Sequence, residues 1–123
     1  MTRAELLQPL LATVGGADAS VFDGWDVVPG YIDGQHAATA IVKGTEIHFA
    51  LVPQFRTSAV LRQRTQEFLR PMFERRGFLT TRVAMTATRQ KRFVERVGFK
   101  PTWTDGIFQY YLLGQLPFAR RST

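Results

Sequence analysis

The sequence contains no cysteine. Disulfide scaffolds, thiolate zinc sites and thiol nucleophiles are therefore excluded. Long apolar runs are missing too. Phe49-Ala50-Leu51-Val52 is typical of what is present, against the ~20 residues of a membrane span. The start, Met1-Thr2-Arg3-Ala4-Glu5, has no signal-peptide apolar core, so the expected location is cytoplasmic with no membrane partner. Acidic residues are scarce in the second half. Residues 54–123 carry 14 basic side chains against Glu67, Glu74, Glu95 and Asp105, whereas residues 1–53 carry a net charge of −4. Thirteen of the sixteen basic residues are arginine. Guanidinium forks bind oxyanions in pairs, so this half suits phosphates unless it is only a solvated helix surface.

At 123 residues, 45% hydrophobic and 21% charged, the chain has the composition of one soluble domain. About two thirds of its surface can be buried on folding. Thr2-x-x-Glu5 is a capping box, and Leu6, Leu7, Leu10, Leu11 and Val14 recur at helical spacing before Gly15-Gly16. Strands are expected over about 25–32, 35–42 and 45–52, joined at Asp33-Gly34 and at Lys43-Gly44-Thr45. A long helix over 58–76 buries Leu61, Phe68, Leu69, Met72 and Phe73, and Pro71 is expected to bend it near residues 67–70. A strand over 79–86 points Val83 and Met85 inward. A helix over 88–97 has Phe93 and Val97 on its core side and Arg89, Arg92 and Arg96 on another stripe. A hairpin of 99–103 and 107–113 turns at Thr104-Asp105-Gly106. The order implies one α+β domain over 1–113 with a central βαβ crossover, about six strands and about three helices. Residues 114–123 form a tail.

Two segments resemble the GCN5-related N-acetyltransferase (GNAT) family: Val52-Pro53-Gln54-Phe55-Arg56 before the long helix, and Phe93-Val94-Glu95-Arg96-Val97-Gly98-Phe99 later. The similarity covers about residues 25–113. It implies a mixed GNAT-like sheet and an acyl-CoA site on Leu51, Val52, Arg56, Thr57, Ser58, Ala59, Val60 and Leu61. A backbone amide near Leu51 or Val52 would polarise the thioester carbonyl. In the family the loop reads [QR]-x-x-G-x-[GA], because phosphates approach the main chain at a helix N-terminus. Here Ala59 and Leu61 stand on the small-residue positions, Val94 stands where a proton-donating tyrosine is common, and Ala87 stands where asparagine is common. Only about 24 residues precede Trp25, so the acceptor wall is absent or supplied by another protein. Small GNAT-like proteins of tailed bacteriophages are similarly shortened.

Glu46 and His48 share one face of the third strand and are the candidate catalytic pair. A carboxylate there commonly serves the family as general base, and histidine ordinarily titrates near neutrality. Against this, a strand histidine is more often a hydrogen-bonded structural group. His36, His48 and Glu46 supply too few ligands for a metal site. Tyr110 and Tyr111 read as packing residues, and Trp25 and Trp103 as core or edge packing. Three functions follow. The first is a non-catalytic binding or structural module with protein partners, such as a component of a phage virion assembled in the host cytoplasm. The second is an acetyl-CoA-dependent N-acyltransferase acting on an amine, with acetyl-CoA or coenzyme A as its only cofactor. The third is a nucleic-acid-binding domain using Arg89, Arg92 and Arg96. Aromatic residues do not interleave with the arginines as a stacking platform would require.

Overall fold

Thr2 starts the first helix. Its hydroxyl accepts the Glu5 amide at 3.1 Å, and the Glu5 carboxylate accepts the Thr2 amide at 2.8 Å. These reciprocal bonds form the capping box. Both hold the Glu5 carboxyl below its usual range, the backbone bond from Thr2 contributing most. The computed structural model describes residues 1–14, 18–55 and 61–115. Its helices are α1 (Arg3–Leu11), α2 (Leu61–Arg76) and α3 (Thr88–Val97). Its strands are β1 (Asp26–Ile32), β2 (Gln35–Lys43), β3 (Glu46–Leu51), β4 (Leu79–Ala84), β5 (Lys100–Thr104) and β6 (Phe108–Leu113). The fold is a mixed α+β fold, with a sheet of order β1-β2-β3-β4-β6-β5. Two compact units divide the chain, residues 1–58 and 59–123. Among the described residues, no helix is long and apolar enough to cross a membrane.

In the first unit β1, β2 and β3 form an antiparallel meander. Asp33 and Gly34 both adopt positive φ, 51° and 78°, the conformation that a two-residue hairpin of this twist requires. One face of the meander packs beneath α1. Leu7, Leu10 and Leu11 meet Ile41 and Ala50 there, with Ala19, Phe22, Trp25 and Val27 packed alongside. Arg3 clamps the next turn in place by donating to the carbonyls of Phe22 at 2.9 Å and Trp25 at 3.3 Å.

Thr39 is fully buried under α1. Its hydroxyl donates to the Leu6 carbonyl, so it can only accept at His36 Nε2, 2.7 Å away. His36 reaches the same face as Thr39 because of a bulge. Gly30 pairs with Ala38 and Tyr31 with His36, leaving Ala37 as an extra residue. An odd insertion reverses the alternation of side chains beyond it.

In the second unit α2 and α3 pack on each other and on β4. The α2 stripe buries Leu69 and Met72, as its spacing predicts, but also Thr65 and Gln66. Gln66 Nε2 donates at 2.6 Å to the Val97 carbonyl, one of the acceptors that a helix leaves unpaired at its C-terminus. On α3 the core side is Val94 and Val97, and Phe93 is only half-buried. The 3.6-residue period allows either neighbour beside Val97, and the smaller side chain takes the tighter place. The strand over 79–86 ends at Ala84, so Met85 lies in the following turn, and Leu79 and Thr81 are the residues most buried in it. Leu61–Arg76 is one uninterrupted helical span through Pro71.

Thr39→Val keeps the shape and removes the hydroxyl that joins His36 to Leu6. The expected cost is about 1–3 kcal/mol. It would be read as a lower urea midpoint with an unchanged slope.

Candidate functional site

Side chains two residues apart on a strand share a face, and β3 uses this spacing to bring Glu46 to His48. The Glu46 carboxylate oxygen lies 2.6 Å from His48 Nε2. The side chains are 26% exposed for His48 and 34% for Glu46, so the pair is neither sealed nor fully solvated. A carboxylate only accepts, so Nε2 carries the proton and Nδ1 holds the lone pair of the neutral ring. Trp25 packs edge-on against the imidazole, with centroids 5.6 Å apart and planes at 63°. Lys43, opposite Glu46 in the register, lies 5.7 Å from the centre of the Trp25 ring. The arrangement can hold one tautomer of one imidazole in a fixed orientation and balance a charge that forms on it.

The candidate acyl-CoA residues are only partly described. Leu51 ends β3 and is half-buried. The Val52 amide donates to the Ala37 carbonyl at 2.8 Å. That bond engages the Val52 amide proton at the bulge residue. Arg56, Thr57, Ser58, Ala59 and Val60 lie outside the described residues, as does the side chain of Leu61, the first residue of α2. The first turn of α2 carries no acid, and Arg62 and Arg64 follow it, both exposed. Cations at a helix start oppose the dipole. That misplacement is the signal in the sequence that could have singled them out as anion contacts.

Arg89, Arg92 and Arg96 lie along α3 and are all exposed. Val94, at 7% exposure, packs in the core of the second unit and has no proton to give. Ala87 precedes α3 without a side-chain cap. Among the described residues no group of three or more His, Cys, Asp or Glu is placed to hold a metal. His36 engages Thr39 while His48 engages Glu46.

The tyrosines of β6 do more than pack. Tyr111 is 1% exposed and donates to Glu95 Oε2 at 2.7 Å. Burial, then this hydrogen bond and the charge of Glu95, push its phenol well above the usual range. Tyr110 stacks on Trp103 and donates to Asp105 Oδ2 at 3.1 Å.

Solved structures share this architecture. The N-acetyltransferase PseH of Campylobacter jejuni, in complex with acetyl coenzyme A, is similar with a TM-score of 0.61 and 15% identity, over 90% of this chain and 79% of that one. The fold is GNAT-like. A Bacillus subtilis acetyltransferase in complex with CoA is similar with a TM-score of 0.66 and 11% identity, over 94% of this chain and 95% of that one. The aminoglycoside acetyltransferase AAC(6')-Ib, in complex with paromomycin and acetyl-CoA, gives 0.61 and 13%, over 84% and 71%. No protein-family model matches the chain, and no curated protein matches it in sequence. The GNAT-like fold is thus carried by architecture at low identity.

The raised Tyr111 ionisation has a stability consequence of definite sign. In the unfolded chain the phenol ionises first, at about pH 10. Above that pH the folded state binds more protons, so this contribution is complete below pH ~10 and is lost as the pH rises further. Tyr111→Phe is expected to cost about 1–2 kcal/mol at neutral pH. It should also flatten the alkaline fall in stability, measured by urea unfolding at stepped pH.

Proposed function

We propose that the chain is an acetyl-CoA-dependent N-acyltransferase acting on an amine acceptor. The observation that carries this is the Glu46–His48 hydrogen bond on the third strand of a GNAT-like fold. An ammonium acceptor has no lone pair and must lose a proton before it can attack a carbonyl. His48 Nδ1 takes that proton, and the freed amine lone pair then forms the C–N bond. Glu46 keeps Nε2 protonated, orients the ring and offsets the positive charge that appears on it. Acetyl-CoA, when bound, supplies the acetyl group in activated form as a thioester. The first turn of α2 suits its pyrophosphate in charge, with the helix N-terminus, no acid, and Arg62 and Arg64 nearby.

Of the departures from the family pattern, those at Val94 and Leu61 bear most on this chemistry. Val94 donates no proton, so thiolate departure relies on solvent protonation and on the positioning of amine against thioester. Leu61 replaces a small residue at the phosphate loop, and this favours the non-catalytic binding module, with protein partners in a virion or another complex, as the competing function.

Calorimetric titration of the full chain with acetyl-CoA and coenzyme A separates the two. Micromolar binding is expected, followed by thiol release in the presence of a panel of primary amines. In that assay His48→Ala should lower kcat/KM by about 10²–10⁴-fold, and Glu46→Gln by less, both with an unchanged KM for acetyl-CoA. No binding by the full chain, with binding restored by Leu61→Gly, would overturn the enzyme and leave a module with a closed site.

A further inference from the structure

The second unit leaves one face of its strands accessible. Cross-strand register sets Arg82 opposite Tyr110 and Tyr110 opposite Trp103. Alternation puts Phe108 and Leu112 on the same face as Tyr110, and Lys100, opposite Leu112, joins them. The reverse face carries Leu79, Thr81, Tyr111 and Leu113, all buried, with Glu95 of α3 at the Tyr111 hydroxyl. On the accessible face Trp103 is 58% exposed, Arg82, Lys100 and Leu112 are exposed, and Phe108 and Tyr110 are half-buried.

The aromatic groups on this face are already ordered. Trp103 and Tyr110 stack with centroids 4.4 Å apart and planes within 2°. The Tyr110 hydroxyl is tied to Asp105, whose carboxylate also accepts the Ile107 and Phe108 amides at 2.9 and 2.8 Å. Those donors, the Phe108 amide foremost, hold Asp105 below the usual carboxylate range. The Arg82 guanidinium lies 4.9 Å over the Phe108 ring. A stacked pair with one indole face in solvent accepts a further planar ring at little ordering cost. Arg82 and Lys100 on the same face, in a unit whose residues 59–123 carry 13 basic against 4 acidic side chains, select for ligands that join planar rings to phosphates.

We propose that this face binds single-stranded nucleic acid, with bases stacking on the Trp103–Tyr110 pair and with phosphates at Arg82 and Lys100. Across these strands the register sets Arg82 and Lys100 beside Trp103, Phe108 and Tyr110. The proposal goes beyond acyl transfer and does not rest on it.

The test is fluorescence polarisation of a labelled oligouridylate and oligothymidylate with the full chain at several salt concentrations. Binding should weaken as salt rises. Trp103→Ala should lower affinity by about 5- to 150-fold, the range of one lost base stack, whereas Trp103→Phe retains most of it. Lys100→Glu, on a fully exposed strand, leaves the core untouched and should weaken binding with a shallower salt slope. Affinity unaltered by Trp103→Ala and Lys100→Glu but abolished by Arg89→Glu would overturn the proposal in favour of α3. Absence of binding at low salt would also overturn it, as would a dimer that Trp103→Ala dissociates without any oligonucleotide binding.

Discussion

A buried hydroxyl anchors the first unit. Thr39 sits where α1 crosses the meander, with the Leu6 carbonyl on one side and His36 on the other. Without water, each of these groups needs a partner, and the cost of leaving one unpaired exceeds the net gain of an ordinary hydrogen bond. The helix therefore has one favourable seat, and Leu7, Leu10 and Leu11 fill the space that this seat defines. Arg3 extends the constraint to the carbonyls of Phe22 and Trp25. Trp25 in turn meets His48. Placement of the candidate base thus traces back, contact by contact, to a threonine that performs no chemistry itself.

Local signals in the sequence were sufficient for local structure. Thr2 and Glu5 mark the helix start, Asp33-Gly34 marks the hairpin, and the two-residue spacing of Glu46 and His48 places them on one face. What escaped was non-local or a matter of one residue's phase. The Ala37 bulge leaves no composition signature, yet it moves His36 to the α1 side and occupies the Val52 amide. Val94 and Phe93 differ by one helical step, and volume at the contact decides between them. Gln66 reads as a surface residue in a polar helix, but its partner is a carbonyl 31 positions away. The Trp103–Tyr110 stack depends on a register that no window along the chain contains.

Two kinds of chemistry are therefore placed on different parts of the chain. The first unit offers an oriented imidazole with an acidic partner. The second offers planar rings and guanidinium groups on a sheet face, with its helices on the reverse. The likeness to solved acetyltransferases lies in architecture, at 15% and 11% identity. Functional inference for such a chain has to rest on its own side chains.

The outermost strand, β5, also bears on how the protein behaves at high concentration. All five of its residues are exposed, and an open strand edge is a template for uncontrolled pairing with other chains. Three features disable the template. Pro101 has no amide hydrogen to offer. The register breaks between Pro101 and Trp103, and Thr102 turns its hydroxyl back to the Tyr110 carbonyl at 3.1 Å. Lys100 adds a charge that a like neighbour repels. An aromatic surface can in this way stand at the rim of a sheet without seeding fibrils.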